Sequence, residues 1–230
     1  MERNSTPKPN SMQVRPLILI GAGGHAKVVA TLAHATGRRF AGVCDPFLAA
    51  CGVREWRGLP VLGDDTALIR FTPDNFELVL GIGIVSGSVL RIERHKALTL
   101  LGYRFPKLIH PAALVDESVT IGEGAQIMAG VVLQPDVRIG QNAIINTGAT
   151  IEHDCKIGDH THIAPGAVLC GGVCVGDGTL IGASATVLPN VKIGHCCRVA
   201  AGSTLARDLP DTGLYVPHRL TEERSASSTP

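Results

Sequence analysis

Ala143-Ile-Ile-Asn-Thr-Gly148, Ala149-Thr-Ile-Glu-His-Asp154, Cys155-Lys-Ile-Gly-Asp-His160 and Thr161-His-Ile-Ala-Pro-Gly166 are four consecutive units of six residues, each with isoleucine in third place. An α-helix cannot stack such a repeat on one stripe, because six steps of 100° displace each successive apolar residue by about 120°. A parallel β-helix can: one hexad makes one flat side, its aliphatic residue points inward, and Gly or Asn takes the corner that needs unusual φ/ψ. The register holds from Lys107 to Asp208, 17 units over 102 residues without an insertion. Every third residue is Ile, Leu or Val, the first is mostly small or β-branched, and the fourth is often Gly (Gly122, Gly140, Gly158, Gly176, Gly182, Gly194). Three sides per coil give nearly six coils, a prism of roughly 27 Å at about 4.8 Å per coil.

Upstream the period changes. Leu17-Ile-Leu-Ile20, Phe40-Ala-Gly-Val-Cys44 and Leu78-Val-Leu-Gly-Ile82 read as buried strands. Ala26 to Thr36 reads as a helix closed by Gly37, and Ser88 to Leu101 as a second, with Ser88 as its cap. Strand, helix, strand implies a small Rossmann-like parallel α/β domain over 16–106. It precedes the β-helix at 107–208. A polar tail (1–15) and a C-terminal segment (209–230) with a Ser-rich end are expected to be disordered at the termini.

The composition excludes several classes. With 21 Lys+Arg against 20 Asp+Glu and no basic block, nothing would steer a nucleic acid. No run approaches the roughly 18 apolar residues that cross a bilayer, and the N-terminus lacks a secretory apolar core, so no membrane partner and a cytoplasmic location are expected. Seven cysteines (44, 51, 155, 170, 174, 196, 197) form no CxxC pair and read as reduced, mostly buried packing residues. No metal is expected.

Three features carry chemistry. Gly21-Ala-Gly-Gly-His25-Ala26 follows a strand and opens a helix, fits G-x-G-x-x-A, and has Asp45 at the next strand end. Only about 90 residues are available, half of a dinucleotide domain, which suggests a nucleotide carried by the substrate. His153 stands fifth in its hexad, two residues past inward Ile151, so its imidazole should project outward, and Asp154 beside it can fix the ring's tautomer. A solvated surface His-Asp pair is the plain alternative. Gly171 stands 18 residues, one coil, from His153, placed to offer a backbone N–H to an oxyanion.

Ile18-Leu-Ile-Gly-Ala-Gly-Gly-His25, Ile109-His-Pro-Ala-Ala113, Ile151-Glu-His-Asp-Cys155 and His162-Ile-Ala-Pro-Gly166, in that order, resemble the sialic-acid O-acetyltransferase-like hexapeptide-repeat transferases, close to bacterial N-acetyltransferases of nucleotide-linked amino sugars. The resemblance covers about residues 16 to 215. It implies a left-handed β-helix, a homotrimer with the acyl-donor cleft between prisms, and acetyl-coenzyme A as co-substrate. It implies His153 as general base with Asp154, and Asn146, His162 and Gly171 lining the donor cleft. Gly21, Gly23, Gly24, His25, Asp45, Gly81 and Gly83 would hold the nucleotide sugar, such as a UDP-4-amino-4,6-dideoxy sugar of surface-glycan or glycoprotein biosynthesis. The family's paired acids are here Cys44-Asp45-Pro46, and Gly213-Leu-Tyr-Val-Pro217 lacks its Ala-Lys ending. Apolar or small residues read as outward (Ala129, Val132, Ala143, Ile144, Val168, Leu180, Leu188) are expected to be buried between copies. The rivals are O-acetylation of sialic acid or another hydroxyl, a zinc hydro-lyase using His153, His160 and His162, and an interaction module without catalysis.

Overall fold

Four successive apolar residues make a strand covered on both faces, and β1 (Leu17–Ile20) is buried throughout. The computed structural model describes residues 14–84 and 89–216. The polar N-terminus up to 13, Ser88 and the chain from 217 onward therefore lie outside the described residues. After β1 come α1 (Gly24–Ala35), β2 (Phe40–Cys44), α2 (Pro46–Ala50), β3 (Glu55–Trp56), β4 (Leu59–Gly63), β5 (Glu77–Leu80) and α3 (Leu90–Leu100). The sheet order is β3-β4-β2-β1-β5, parallel except for the β3–β4 hairpin. β1 thus lies between β2 and β5, and the loop leaving its carboxyl end occupies the position where such sheets bind ligands.

Element ends differ slightly from the sequence reading. α1 begins at Gly24 with Gly23 as N-cap, ahead of Ala26, because glycine accepts the cap geometry without a side-chain bond. β5 ends at Leu80, and Gly81 only donates one further hydrogen bond to the Ile20 carbonyl (2.8 Å). Val89, not Ser88, holds the N-cap of α3.

From Leu108 the chain coils as the hexads require. The second and third residues of each unit form a two-residue strand, and each strand pairs in parallel with the one a coil away. Three sides result. The first runs from Leu108–Ile109 to Leu214–Tyr215 in seven strands, the second from Leu114–Val115 to Thr204–Leu205 in six, and the third from Thr120–Ile121 to Lys192–Ile193 in five. Third-position residues from Ile127 to Leu205 are at most 4% exposed. Ile109, Val115 and Ile121 are only partly buried, since no coil lies beneath them.

The corner chemistry corrects the sequence reading. Fourth-position glycines have no positive φ; the left-handed residue is the sixth, as in Asp136, Asn142, Asp154 and His160, with φ between 53° and 62°. Gly140, Gly158, Gly176 and Gly194 are glycine for want of room. A Cβ on Gly140 would lie 2.6 Å from Asp159 N, and one on Gly158 2.7 Å from Asp177 N. The same crowding lets Asp159 accept from Gln141 N–H (2.7 Å) and Asp177 from Asp159 N–H (2.8 Å), a ladder of carboxylates satisfying backbone donors along that edge.

Two further expectations change. Ala143 and Ile144 are not outward: both are fully buried. Ile144 pairs between Gln126 and His162 on the first side, which the N-terminal domain covers. Of the cysteines, 44, 155 and 197 are buried, whereas 51 and 196 are exposed; all seven are free. Past Asp208 the coil continues to Leu214–Tyr215, with a step of 16 residues from Arg198–Val199 where the others take 18.

Candidate active site

The glycine-rich loop is shaped by two kinds of constraint. Gly21 sits at φ +89, and a Cβ there would press on Ile82 at 3.0 Å. Gly81 approaches so closely that a Cβ would meet the Gly21 carbonyl oxygen at 2.6 Å and Ala26 Cβ at 2.7 Å, while Gly83 backs onto His25. These three glycines make the loop and the β5 end interlock. Gly23 and Gly24 have nothing within 4 Å of a notional Cβ, so packing does not require them. They stand at the start of α1, whose N-cap has no side-chain bond and whose first turn carries no acid. Its first N–H groups and the positive end of its dipole are left for an anion.

Asp45 does more locally than the sequence reading assigned it. Its Oδ2 accepts from Ala22 N–H (2.8 Å) and its Oδ1 from Leu48 N–H (2.9 Å), so one carboxylate caps α2 and fixes the glycine loop. His25 Nε2–H donates to Gln126 Oε1 at 2.9 Å, linking the loop to the prism. Burial, then the nearby Arg91 cation, push the His25 pKa down to about 4, which keeps the ring neutral.

His153 projects from the turn that joins the second side to the third. Its Nδ1 lies 2.8 Å from Asp154 Oδ2, and 63% of the side chain is exposed. With Nδ1–H given to the carboxylate, Nε2 keeps its lone pair for a proton acceptor's task. The ring lies over Gly171: a Cβ there would be 2.7 Å from both Cε1 and Nε2. Glycine is therefore the residue this imidazole needs beneath it. Among the described residues no protein acceptor takes the Gly171 N–H.

Asn146 and His162 come together elsewhere. Asn146 Nδ2 lies 3.2 Å from His162 Nε2, and His162 Nδ1 faces the Ile84 carbonyl at 3.4 Å. Both ring nitrogens are engaged, and burial pushes the pKa down to about 4, so this ring is a poor proton acceptor near neutrality. Beside Asn146, a cleft of about 300 Å³ opens between α1 and the prism, lined by Lys27, Thr31, Arg57, His110, Met128 and Thr147 among others. The first side carries Asn146 and His162, and the corner bearing His153 is opposite it in a three-sided prism. One chain does not unite the two sets. His153, His160 and His162 do not converge either: His160 Nδ1 accepts from Asn142 Nδ2 (2.9 Å) at a different corner.

No motif in the sequence announces the seam between the two domains. Gln126 Nε2 donates to the Leu80 carbonyl (2.9 Å) while its Oε1 holds His25. Arg91, His95 and Leu98 form the buried stripe of α3, and Arg91 also donates to the Leu80 and Ile82 carbonyls. A partial signal is present: a helix whose i, i+4 and i+7 residues include Arg and His has a polar inner face, and Gln126 is an amide between Leu108 and Ile144 in its column.

Residues 16–86 match the PglD N-terminal domain family, and overlapping segments within 118–207 match the bacterial transferase hexapeptide (six repeats) family. The UDP-N-acetylbacillosamine N-acetyltransferase of Bacillus subtilis is 39% identical over 118 residues, 50% of this chain and 52% of that relative, so the match spans about half of that relative's length. A crystal structure of a histidine-to-alanine mutant of GDP-perosamine N-acetyltransferase from Caulobacter crescentus, in complex with CoA and GDP-perosamine, superposes with a TM-score of 0.80 at 39% identity, covering 89% of this chain and 95% of that one. The acetyltransferase domain of PglB from Neisseria gonorrhoeae, in complex with acetyl coenzyme A, gives 0.77 at 33% identity, covering 87% and 95%.

Proposed function

This chain belongs to the hexapeptide-repeat transferases that carry a PglD N-terminal domain on a left-handed β-helix, and from that premise we propose that it transfers acetyl from acetyl-coenzyme A to the amino group of a nucleotide-linked deoxysugar. The observation that carries the reading is His153, hydrogen-bonded to Asp154 through Nδ1, exposed, and resting on a glycine. In this reading the sugar amine attacks the thioester carbonyl carbon while His153 Nε2 accepts the amine proton. Asp154 supports the imidazolium, and the Gly171 N–H donates to the oxygen that gains charge. The C–S bond then breaks, giving an amide and coenzyme A thiol, with the proton returned to sulfur. No acyl-enzyme forms, so steady-state kinetics should be sequential; parallel double-reciprocal lines would contradict this.

Division of labour follows the two domains. The loop Gly21–His25, Asp45 and the Gly81–Gly83 segment hold the nucleotide sugar in 16–106, and the prism of 107–208 holds the acyl donor. Support comes from the uncapped α1 N-terminus and from the relatives' named ligands, GDP-perosamine and CoA. Because Asn146 and His162 lie opposite His153, the reading requires a second prism to complete each site, and a closed homotrimer supplies three equivalent ones. The second side favours that packing, since its outward residues are Leu114, Val132, Thr150, Val168, Thr186 and Thr204, without a charge. Among the described residues no helix is long and apolar enough to cross a membrane; the reading places the enzyme in the cytoplasm, where acetyl-coenzyme A is found.

The test is a coupled thiol-release assay across UDP-, GDP- and TDP-linked amino sugars. Release with none of them would sink the proposal, and a product cleaved by mild base would mark an ester instead of an amide. His153→Ala should lower turnover by about 10²- to 10⁴-fold with folding intact; near-full activity would place the base elsewhere. A fully active monomer by light scattering would defeat the shared site.

A further inference from the structure

α3 turns toward the prism a stripe that should be apolar, yet its largest member is Arg91, 1% exposed. Nη1 donates to the Ile82 carbonyl at 2.7 Å and to the Leu80 carbonyl at 3.1 Å, Nε lies 3.5 Å from the Asn142 carbonyl, and Nη2 has no partner. Among the described residues no carboxylate forms an ion pair with it. Desolvation is severe enough to pull the guanidinium down to about 9. A buried cation without a counter-ion is a poor way to stabilise a seam; an apolar side chain of similar volume serves stability as well or better. The position of the cation explains more than its stability contribution does.

Both carbonyls belong to the stretch Leu80-Gly81-Ile82-Gly83-Ile84, whose glycines close on Gly21, Ala26 and His25. Gln126, from the prism, donates to the same Leu80 carbonyl and holds His25 with its other end. Ile84 in turn faces His162. One cation and one amide therefore fix the back of the glycine-rich loop to the prism that bears Asn146 and His162. Burial is the main reason the rings around it stay neutral (His25 of α1, His95 of α3, and His160 and His162 of the prism); the guanidinium adds to it at all four, as does His162 at His25 and His160 at His95. Asp159 acts against this at His95 and His160, Asp177 likewise at His160, and Lys96 reinforces it at His160.

We propose that Arg91 is the positioning residue of the sugar-nucleotide site: from behind the backbone it locks the Leu80–Ile82 stretch and supplies the fixed positive charge that faces the substrate's diphosphate. This rests on the reading of Gly21–His25 as the nucleotide-sugar loop. Arg91 does not touch the substrate in this scheme; it acts through the Leu80 and Ile82 carbonyls and through its field.

The experiment compares full-length wild type, Arg91→Met and Arg91→Lys. Calorimetric titration with UDP-, GDP- and TDP-linked amino sugars is paired with steady-state kinetics in both substrates. Arg91→Met should weaken the nucleotide sugar at least tenfold in Kd and KM while the KM for acetyl-coenzyme A and kcat stay within about twofold. Arg91→Lys should restore only part of the affinity, since an ammonium cannot present the planar guanidinium's paired donors to two carbonyls. Unchanged sugar affinity in Arg91→Met overturns the proposal. So does a loss shared equally by both substrates and tracking a lower Tm, the mark of a merely structural residue. If wild type binds no sugar nucleotide, the parent reading falls and this one with it; binding by wild type with indifferent variants removes this one alone.

Discussion

Glycines at the α1 start and glycines along the prism edge are the same residue used for opposite reasons. Gly23 and Gly24 face open space, whereas Gly140, Gly158, Gly176 and Gly194 each have part of the next coil within 2.6 Å of a notional Cβ. The prism glycines recur because the backbone repeats, and their meaning is structural. The loop glycines occur once, packing gives no reason for them, and the remaining reason is what approaches from outside. Repetition in this chain marks the scaffold, and a departure from packing need marks the site.

That contrast can be broken most forcefully at Gly158. Alanine there would put Cβ 2.7 Å from Asp177 N, with backbone on the receiving side, so a loss of about 3 kcal/mol is expected, read as a lower midpoint in chemical denaturation. A wild-type midpoint would show that the coils can separate by several tenths of an ångström, and the contrast would lose its structural half. Gly171 combines the two roles, because what crowds it is the His153 ring. Gly171→Ala should displace the imidazole and lower kcat by about 10- to 100-fold, with the midpoint nearly unchanged. A fall in midpoint without a fall in kcat would reassign Gly171 to the scaffold.

The legible part of the molecule follows the same division. Hexads announce the prism because each unit restates the inward aliphatic residue, and fourteen of them, Ile127 to Leu205, end up at most 4% exposed. The outward aim of His153 could be derived from the same frame. Arg91 and Gln126 stand out in their local patterns, but their partners are not legible there, being 9 to 101 positions away with no local period to connect a helix arginine to a carbonyl at a strand end. The corner residues were misassigned for a related reason: composition shows that glycine is frequent at the fourth place but not whether it answers to φ or to crowding.

Acid should act on the seam before it acts on the coils. His25, His95 and His162 have native pKa values pushed to about 4, chiefly by burial, against 6.5 unfolded. Between those values the unfolded chain binds protons that the native chain does not. The stability they contribute is present above about pH 6.5 and is lost as the pH falls toward 4, with a slope of up to about 1.4 kcal/mol per pH unit for each ring. Denaturation series at pH 7, 6 and 5 measure this; a flat profile would mean that the rings are solvated. The smallest effect is expected at Gly23, where alanine should change stability by no more than about 1 kcal/mol while raising the KM for the nucleotide sugar. Unchanged KM would leave the open glycines without the purpose the contrast assigns them.

The shortened last coil has a consequence for how copies of the chain meet end to end. Among the described residues the three sides hold seven, six and five strands, with Leu209 bridging to Ile193 and Leu214–Tyr215 forming the last described step. A solenoid ending in a level triangle of unpaired strands would be a template on which another solenoid could dock and extend, as open sheet edges do in fibrils. Here Leu209 already occupies the bridge to Ile193, and Pro210 beside it has no N–H to offer a further strand. Among the described residues the rim left by the shortened step is uneven, a poor template for growth from one prism into the next.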